Sequence, residues 1–169
     1  MSTRMRMAVL SAVALAATVA TMSVGMSPAQ AASQKIETRG GGLIGCLTAS
    51  TTTVSSANCS SSSTNLQRIS HGTYNGHPVV QVKFSNHGLC IDSGAQRSGD
   101  AKVHACNSGN YQYLEVFNGS ISGRKVLKSI GAWEHQGVHI CLDNDGDAGV
   151  PVFWTTCNTS DSQQQFTFK

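Results

Sequence analysis

The stretch Ile140-Cys141-Leu142-Asp143, answered by Cys157 after the run Val150-Pro151-Val152-Phe153-Trp154, decides the fold because it is one of three. Gly45-Cys46-Leu47-Thr48 and Leu89-Cys90-Ile91-Asp92 stand in the same relation to Cys59 and Cys106. The cysteine separations alternate short and long, at 13, 31, 16, 35 and 16 residues. Aligning the first cysteines gives periods of 44 and 51, and the second cysteines 47 and 51. A repeat of that length marks supersecondary units that bury a core only together. Each second cysteine is followed by a polar stretch and a glutamine two residues before an apolar one: Gln67-Arg68-Ile69, Gln112-Tyr113-Leu114 and Gln164-Gln165-Phe166.

Outward from these motifs the pattern has period two. Val80, Val82 and Phe84 alternate with Gln81 and Lys83, Val150, Val152 and Trp154 with Pro151 and Phe153, and Phe166 and Phe168 with Gln165 and Thr167. Such alternation predicts half-buried strands, and it places Trp154 with Val150 and Val152 on the core side. Asn75-Gly76, Ser98-Gly99-Asp100 and Asn118-Gly119 punctuate the runs as turns. No amphipathic helical stretch of useful length is evident after the N-terminal segment. The expectation is an all-β domain built from three repeats.

The first thirty-one residues read as a secretory signal. Arg4 and Arg6 form a positive start, Met7 to Val24 is almost wholly small and apolar, and Ala29-Gln30-Ala31 offers small residues at the cleavage positions. Ser11, Thr18, Thr21 and Ser23 interrupt the run, whereas a membrane anchor wants about twenty strongly apolar residues. The expected organisation is therefore a signal at 1–31 and one secreted domain at 32–169, with repeats near 32–75, 76–122 and 123–169. No later stretch is apolar enough to span a bilayer. All six cysteines lie in the exported part, and an even count in an oxidising compartment argues for three disulfides. Of the fifteen pairings open to six cysteines, the short intervals favour Cys46 with Cys59, Cys90 with Cys106 and Cys141 with Cys157. Zinc would want close CxxC pairs, and the sequence has none.

Twelve Lys and Arg against nine Asp and Glu give a net charge of +3, two units of which are Arg4 and Arg6. The remainder is too small for the basic footprint of a nucleic-acid binder.

The threefold order of C-[LI]-D, a second cysteine and Q-x-apolar resembles the ricin B-type β-trefoil lectins and related carbohydrate-binding modules, over Gly45 to Phe168. The resemblance implies a β-trefoil of about twelve strands and glycans or polysaccharides as partners. It implies no cofactor. In that family a tryptophan ends each Q-x-W; here Ile69, Leu114 and Phe166 are read at those places, apolar residues able to fill a core. The resemblance puts carbohydrate contacts on Asp92, Lys102, His104, Tyr111 and Gln112 in unit two. In unit three it puts them on Asp143, Phe153, Gln163 and Gln164, with Thr155 at the stacking place. Thr48 stands where unit one would need its aspartate, so unit one is expected to be structural.

The chemistry of a sugar site is independent of any family. Pyranose hydroxyls want convergent acceptors and donors, and the C–H face wants a flat ring. The same residues also have structural readings. Asp92 and Asp143 can cap turns, and Gln112 and Gln164 can satisfy buried backbone groups.

Other chemistry is not supported. Asp143-Asn144-Asp145-Gly146-Asp147 has the look of a calcium loop, but its glycine stands at loop position four and Trp154 at twelve, where an EF-hand needs glycine at six and glutamate at twelve. Gly146-Asp147-Ala148-Gly149-Val150-Pro151 resembles the nucleophile segment of a chymotrypsin-type protease, with Ala148 in the serine's place and Asn58 in the histidine's. A triad cannot operate without both. No carboxylate pair marks a glycosidase, and His71, His77, His87, His135 and His139 show no metal-ligand spacing. The expectation is a non-enzymatic carbohydrate-binding protein, with a protein-interaction or inhibitor scaffold as the alternative.

Overall fold

The computed structural model describes residues 33–40, 43–145 and 149–169; the expected signal segment lies outside the described residues, as do Gly146, Asp147 and Ala148. The described residues form thirteen strands: β1 (Ile36–Gly40), β2 (Leu43–Ala49), β3 (Val54–Ala57), β4 (Leu66–Tyr74), β5 (His77–Phe84), β6 (Leu89–Asp92), β7 (Gly99–Asp100), β8 (Lys102–Ala105), β9 (Leu114–Asn118), β10 (Lys125–Ser129), β11 (Ile140–Asn144), β12 (Val152–Thr156) and β13 (Thr167–Phe168). Leaving aside the two-residue β7, they fall into three sets of four with the same pairings.

In each set the first strand pairs antiparallel with the second and the second with the third. The fourth strand pairs with the first strand of the next set, giving β4·β5 and β9·β10, and β13 returns to β1. Three further links join the first and fourth strands within each set: Gln34 to Leu66, Val80 to Leu114 and Lys125 to Phe166. Strands β1, β4, β5, β9, β10 and β13 thereby close into a barrel, which removes the unpaired edges an open sheet would carry. The hairpins β2–β3, β6–β8 and β11–β12 cap one end of it. Their tips meet through backbone bonds from Val54 N–H to the Ala101 carbonyl and from Ala101 N–H to the Val152 carbonyl, each 2.8 Å.

The repeat read from the cysteines is a repeat of register. Cys46 opposes Ala57, Cys90 opposes His104 and Cys141 opposes Thr155. The disulfides join Cys46 to Cys59, Cys90 to Cys106 and Cys141 to Cys157, as the short intervals indicated. Leu47, Ile91 and Leu142, each following its first cysteine, are fully buried. Trp154 is fully buried too, on the core side where alternation put it.

Three expectations need correction. Gln67-Arg68-Ile69 is not unit one's counterpart of the other two glutamine motifs. The 3-10 turns Ser62–Thr64, Asn110–Gln112 and Ser162–Gln164 are equivalent, so Thr64 matches Gln112 and Gln164, and the fully buried Leu66 matches Leu114 and Phe166. Unit one has a shorter turn, so Gln67 falls beyond its end. Second, Gln81 and Gln165 fall on the polar side of their alternations yet are 4% and 1% exposed, because loops cover that face of the strands. Third, a seven-residue helix, α1 (Ile130–Gln136), stands between β10 and β11. Ser129 caps its start by accepting from Ala132 N–H, and Gly137 ends it in the left-handed region at φ 67°. It is too short to show helical periodicity.

No helix among the described residues is long and apolar enough to cross a membrane.

Candidate functional site

Strand alternation sorts the candidate residues of unit two. Across β6 and β8, Ile91 opposes Val103 in the core, while Asp92 opposes Lys102 and Cys90 opposes His104 on the outer face. Lys102 and His104 are exposed, whereas Asp92 is almost covered. Its Oδ1 accepts from Gly94 N–H at 2.6 Å and its Oδ2 from Gln112 Nε2 at 3.0 Å. Two of about four lone-pair sites on the carboxylate are used, leaving capacity for a ligand hydroxyl.

Gln112 has no such capacity. It is fully buried. Its Oε1 accepts from Asn107 N–H at 2.9 Å and from Gln81 Nε2 at 2.8 Å. Its Nε2 donates to Asp92 and to the Ala105 carbonyl, both at 3.0 Å. All four of its hydrogen-bonding positions are filled, so its part in the site is to hold Asp92. Gln81, on the polar side of its strand's alternation, completes this buried chain and also donates to the Asn107 carbonyl.

Tyr111 is half-buried beside α1. Its ring lies 5.1 Å from that of His135, and a Cβ on Gly131 would come within 2.6 Å of it. Asn110 donates to Glu134, tying the same turn to the helix. Tyr111 and the Asp92 pair are thus brought together by a turn that the helix braces.

Unit three repeats the arrangement. Leu142 opposes Trp154 inward, and Asp143 opposes Phe153 outward, with Thr155 on the same side as Phe153. Phe153 also opposes Asp100 of β7, so its half-buried ring sits between two strands carrying aspartates. Gln164 accepts from Asn158 N–H at 2.8 Å and donates to the Thr156 carbonyl at 3.0 Å. These partners flank Cys157 as Asn107 and Ala105 flank Cys106. Gln163 donates to Asp145 at 3.3 Å, beside the end of β11. Gln165 ties the β9–β10 loop to the β12–β13 loop by accepting from Ile121 N–H and donating to the Thr159 and Asp161 carbonyls.

Asp143 is 4% exposed, and its Oδ1 has no hydrogen-bond partner among the described residues. Burial pushes its pKa up to about 6; Gln164's hydrogen bond opposes that rise, and Asp161 and Asp145 add to it. A carboxyl whose pKa is higher folded than unfolded stays protonated in the native state while the unfolded chain ionises. This group therefore removes stability as pH rises from about 4 to about 6. Asp143→Asn is expected to abolish that fall, a difference of roughly 1–3 kcal/mol between the two ends of the window, read by denaturant unfolding at each pH.

Unit one lacks the pair. Thr48 stands at the aspartate position and Thr64 at the glutamine position, and Thr48 Oγ1 donates to the Ser63 carbonyl at 3.0 Å. Both members of the pair are replaced together.

No protein-family model matches the sequence, and no curated protein matches it. Solved structures do resemble it in shape. The designed threefold-symmetric protein ThreeFoil aligns with a TM-score of 0.61 at 16% identity, over 80% of this chain and 96% of that one. The BEL β-trefoil aligns at 0.62 and 13% identity, over 82% and 93%. The Polyporus squamosus lectin, solved with the epitope Neu5Acα2-6Galβ1-4GlcNAc, aligns at 0.62 and 15% identity, over 82% of this chain and 49% of the lectin. Together with the threefold strand pairing, these likenesses make the chain a β-trefoil. At such identities they speak for the fold alone.

Proposed function

We propose that this β-trefoil is a secreted, non-catalytic carbohydrate-binding protein whose sites are in units two and three. One observation carries the reading. Both of those units carry an aspartate two residues after the first cysteine together with a buried glutamine at the end of the 3-10 turn, hydrogen-bonded to each other at 3.0 Å in unit two, and unit one has neither residue. Fixing a carboxylate from behind while leaving lone pairs free is what hydrogen bonding to sugar hydroxyls requires. Lys102 opposes Asp92 in unit two with His104 two residues further along β8, Phe153 opposes Asp143 in unit three, and Gln163 donates to the nearby Asp145. Three disulfides are compatible with an extracellular setting. A single shallow site of this kind binds on the order of millimolar, or about 4 kcal/mol, and two sites on one molecule gain by avidity.

The test is binding of the oxidised domain to a panel including galactosides, xylan and bacterial wall polymers, with the Asp92→Ala/Asp143→Ala variant alongside. Wild type is expected to bind and the variant to lose binding while keeping its fold. The protein-interaction scaffold has one observation in its favour. The ring nearest Asp92 along β8 is only the imidazole of His104, and Tyr111 is engaged with His135. A folded wild type that binds nothing on the panel would select that reading.

A further inference from the structure

The end of the barrel away from the hairpin cap holds a cavity of about 450 Å³. It opens where β5 and β10 begin and β9 and β13 end. Its cationic groups are Arg68 and Lys125, His77 lines it as well, its apolar walls include Val80, Val116 and Phe168, and no carboxylate lines it. We propose that this cavity is a second binding site, which takes a small organic carboxylate with an aliphatic or aromatic body.

Arg68 is the residue on which the inference turns. Its guanidinium lies 4.4 Å over the Phe168 ring, and its Nε–H donates to Gln34 Oε1. Those two contacts fix the plane of the fork and leave its other N–H groups uncommitted among the described residues. The ion pairs among the described residues, Lys128 with Glu115 and Lys169 with Glu37, do not involve it. Burial lowers its pKa, the mark of a cation that has lost water without gaining a counter-ion. Across the cavity Lys125 is half-buried, and its Nζ donates to Asn118 Oδ1 at 2.6 Å. That neutral acceptor leaves its charge unbalanced.

A planar fork pinned by stacking matches a carboxylate in two-pronged fashion. The apolar walls exclude a bare hydrated anion as the best occupant, because they reward buried hydrocarbon. The volume is that of a small-molecule site rather than of a macromolecular interface. A neighbouring cavity of about 310 Å³ contains Glu37 and Lys169, which form their own ion pair. Arg124 lines it too, but there a carboxylate, Glu37, already stands among the cations.

The experiment is an NMR titration of the oxidised domain with benzoate and hexanoate, each against its alcohol, benzyl alcohol or hexan-1-ol. Saturable shifts are expected at Val80, Val116, Phe168 and the Arg68 side chain with the acids. Affinity is expected to be on the order of millimolar, and about tenfold or more weaker for the alcohols. Arg68→Gln and Lys125→Gln should each weaken acid binding about tenfold. The Lys125 change leaves the Phe168 stack in place, so it tests the charge even if Arg68→Gln loosens the barrel. The Asp92→Ala/Asp143→Ala variant should bind the acids as wild type does, keeping this site separate from the glycan proposal. Equal binding of acids and alcohols, acid binding that survives both glutamine variants, or no saturable shift at these residues would each overturn the assignment.

Discussion

Reducing all three disulfides is expected to unfold the domain. The loops they close span 13, 16 and 16 residues, and each contributes about 3 kcal/mol in the chain-entropy account. Their sum, about 9 kcal/mol, is comparable with the whole stability of an ordinary domain, roughly 5–15 kcal/mol. The first cysteine of every pair is completely buried, so reductant should act slowly without denaturant and quickly with a little of it. Near-ultraviolet circular dichroism after full reduction and removal of denaturant reads the result. A reduced chain that regains its native spectrum would show the barrel to be self-sufficient. Removing one pair at a time by Cys→Ala should leave a folded domain weakened by about 3 kcal/mol.

Trp154→Ala is expected to cost about 3–5 kcal/mol, more than any other single truncation in this core. The reason lies in the imperfect symmetry. The equivalent positions in units one and two are Ser56 and Val103, buried at 1% and 3% exposure. One indole thus fills a space toward which its two counterparts contribute little, in the manner of large and small residues complementing one another across a core. Trp154→Phe should cost much less than the alanine change, since it keeps a ring and removes an Nε1 that has no partner among the described residues. Urea midpoints of the two variants separate the outcomes. Near-equal losses would mean that the indole does not fill the centre.

The threefold plan was legible because it rests on features that recur along the chain. Cysteine spacing carried the pairing, and period-two alternation carried the inward turn of Leu142 and Trp154. What escaped depends on contacts between distant segments. Leu66 escapes the motif because unit one's turn is shorter, so that Gln67 shares the letter of Gln112 and Gln164 but not their place in the turn. The burial of Gln81 and Gln165 is not legible, because alternation says nothing of a loop folding over a strand's outer face. The buried pair Glu115 and Lys128, 3.1 Å apart across β9 and β10, has no local signature either. In the candidate site, the positions of Asp92 and Asp143 were legible from the motif. The use of every hydrogen-bonding group of Gln112 was not, since its partners come from three separate stretches. A capping serine and a glycine did bracket α1 at Ser129 and Gly137, a signal that was present but faint over seven residues.

That helix has a consequence for anyone who would treat the repeats as interchangeable parts. It belongs to the third unit, yet Gly131, Glu134 and His135 brace Asn110 and Tyr111 of the second. A symmetric protein assembled from three copies of unit two alone would leave every Tyr111 without its buttress. The smallest transferable cassette for that half of the molecule therefore runs past its own repeat to Gly137, so the boundaries of sequence duplication and of structural autonomy do not coincide.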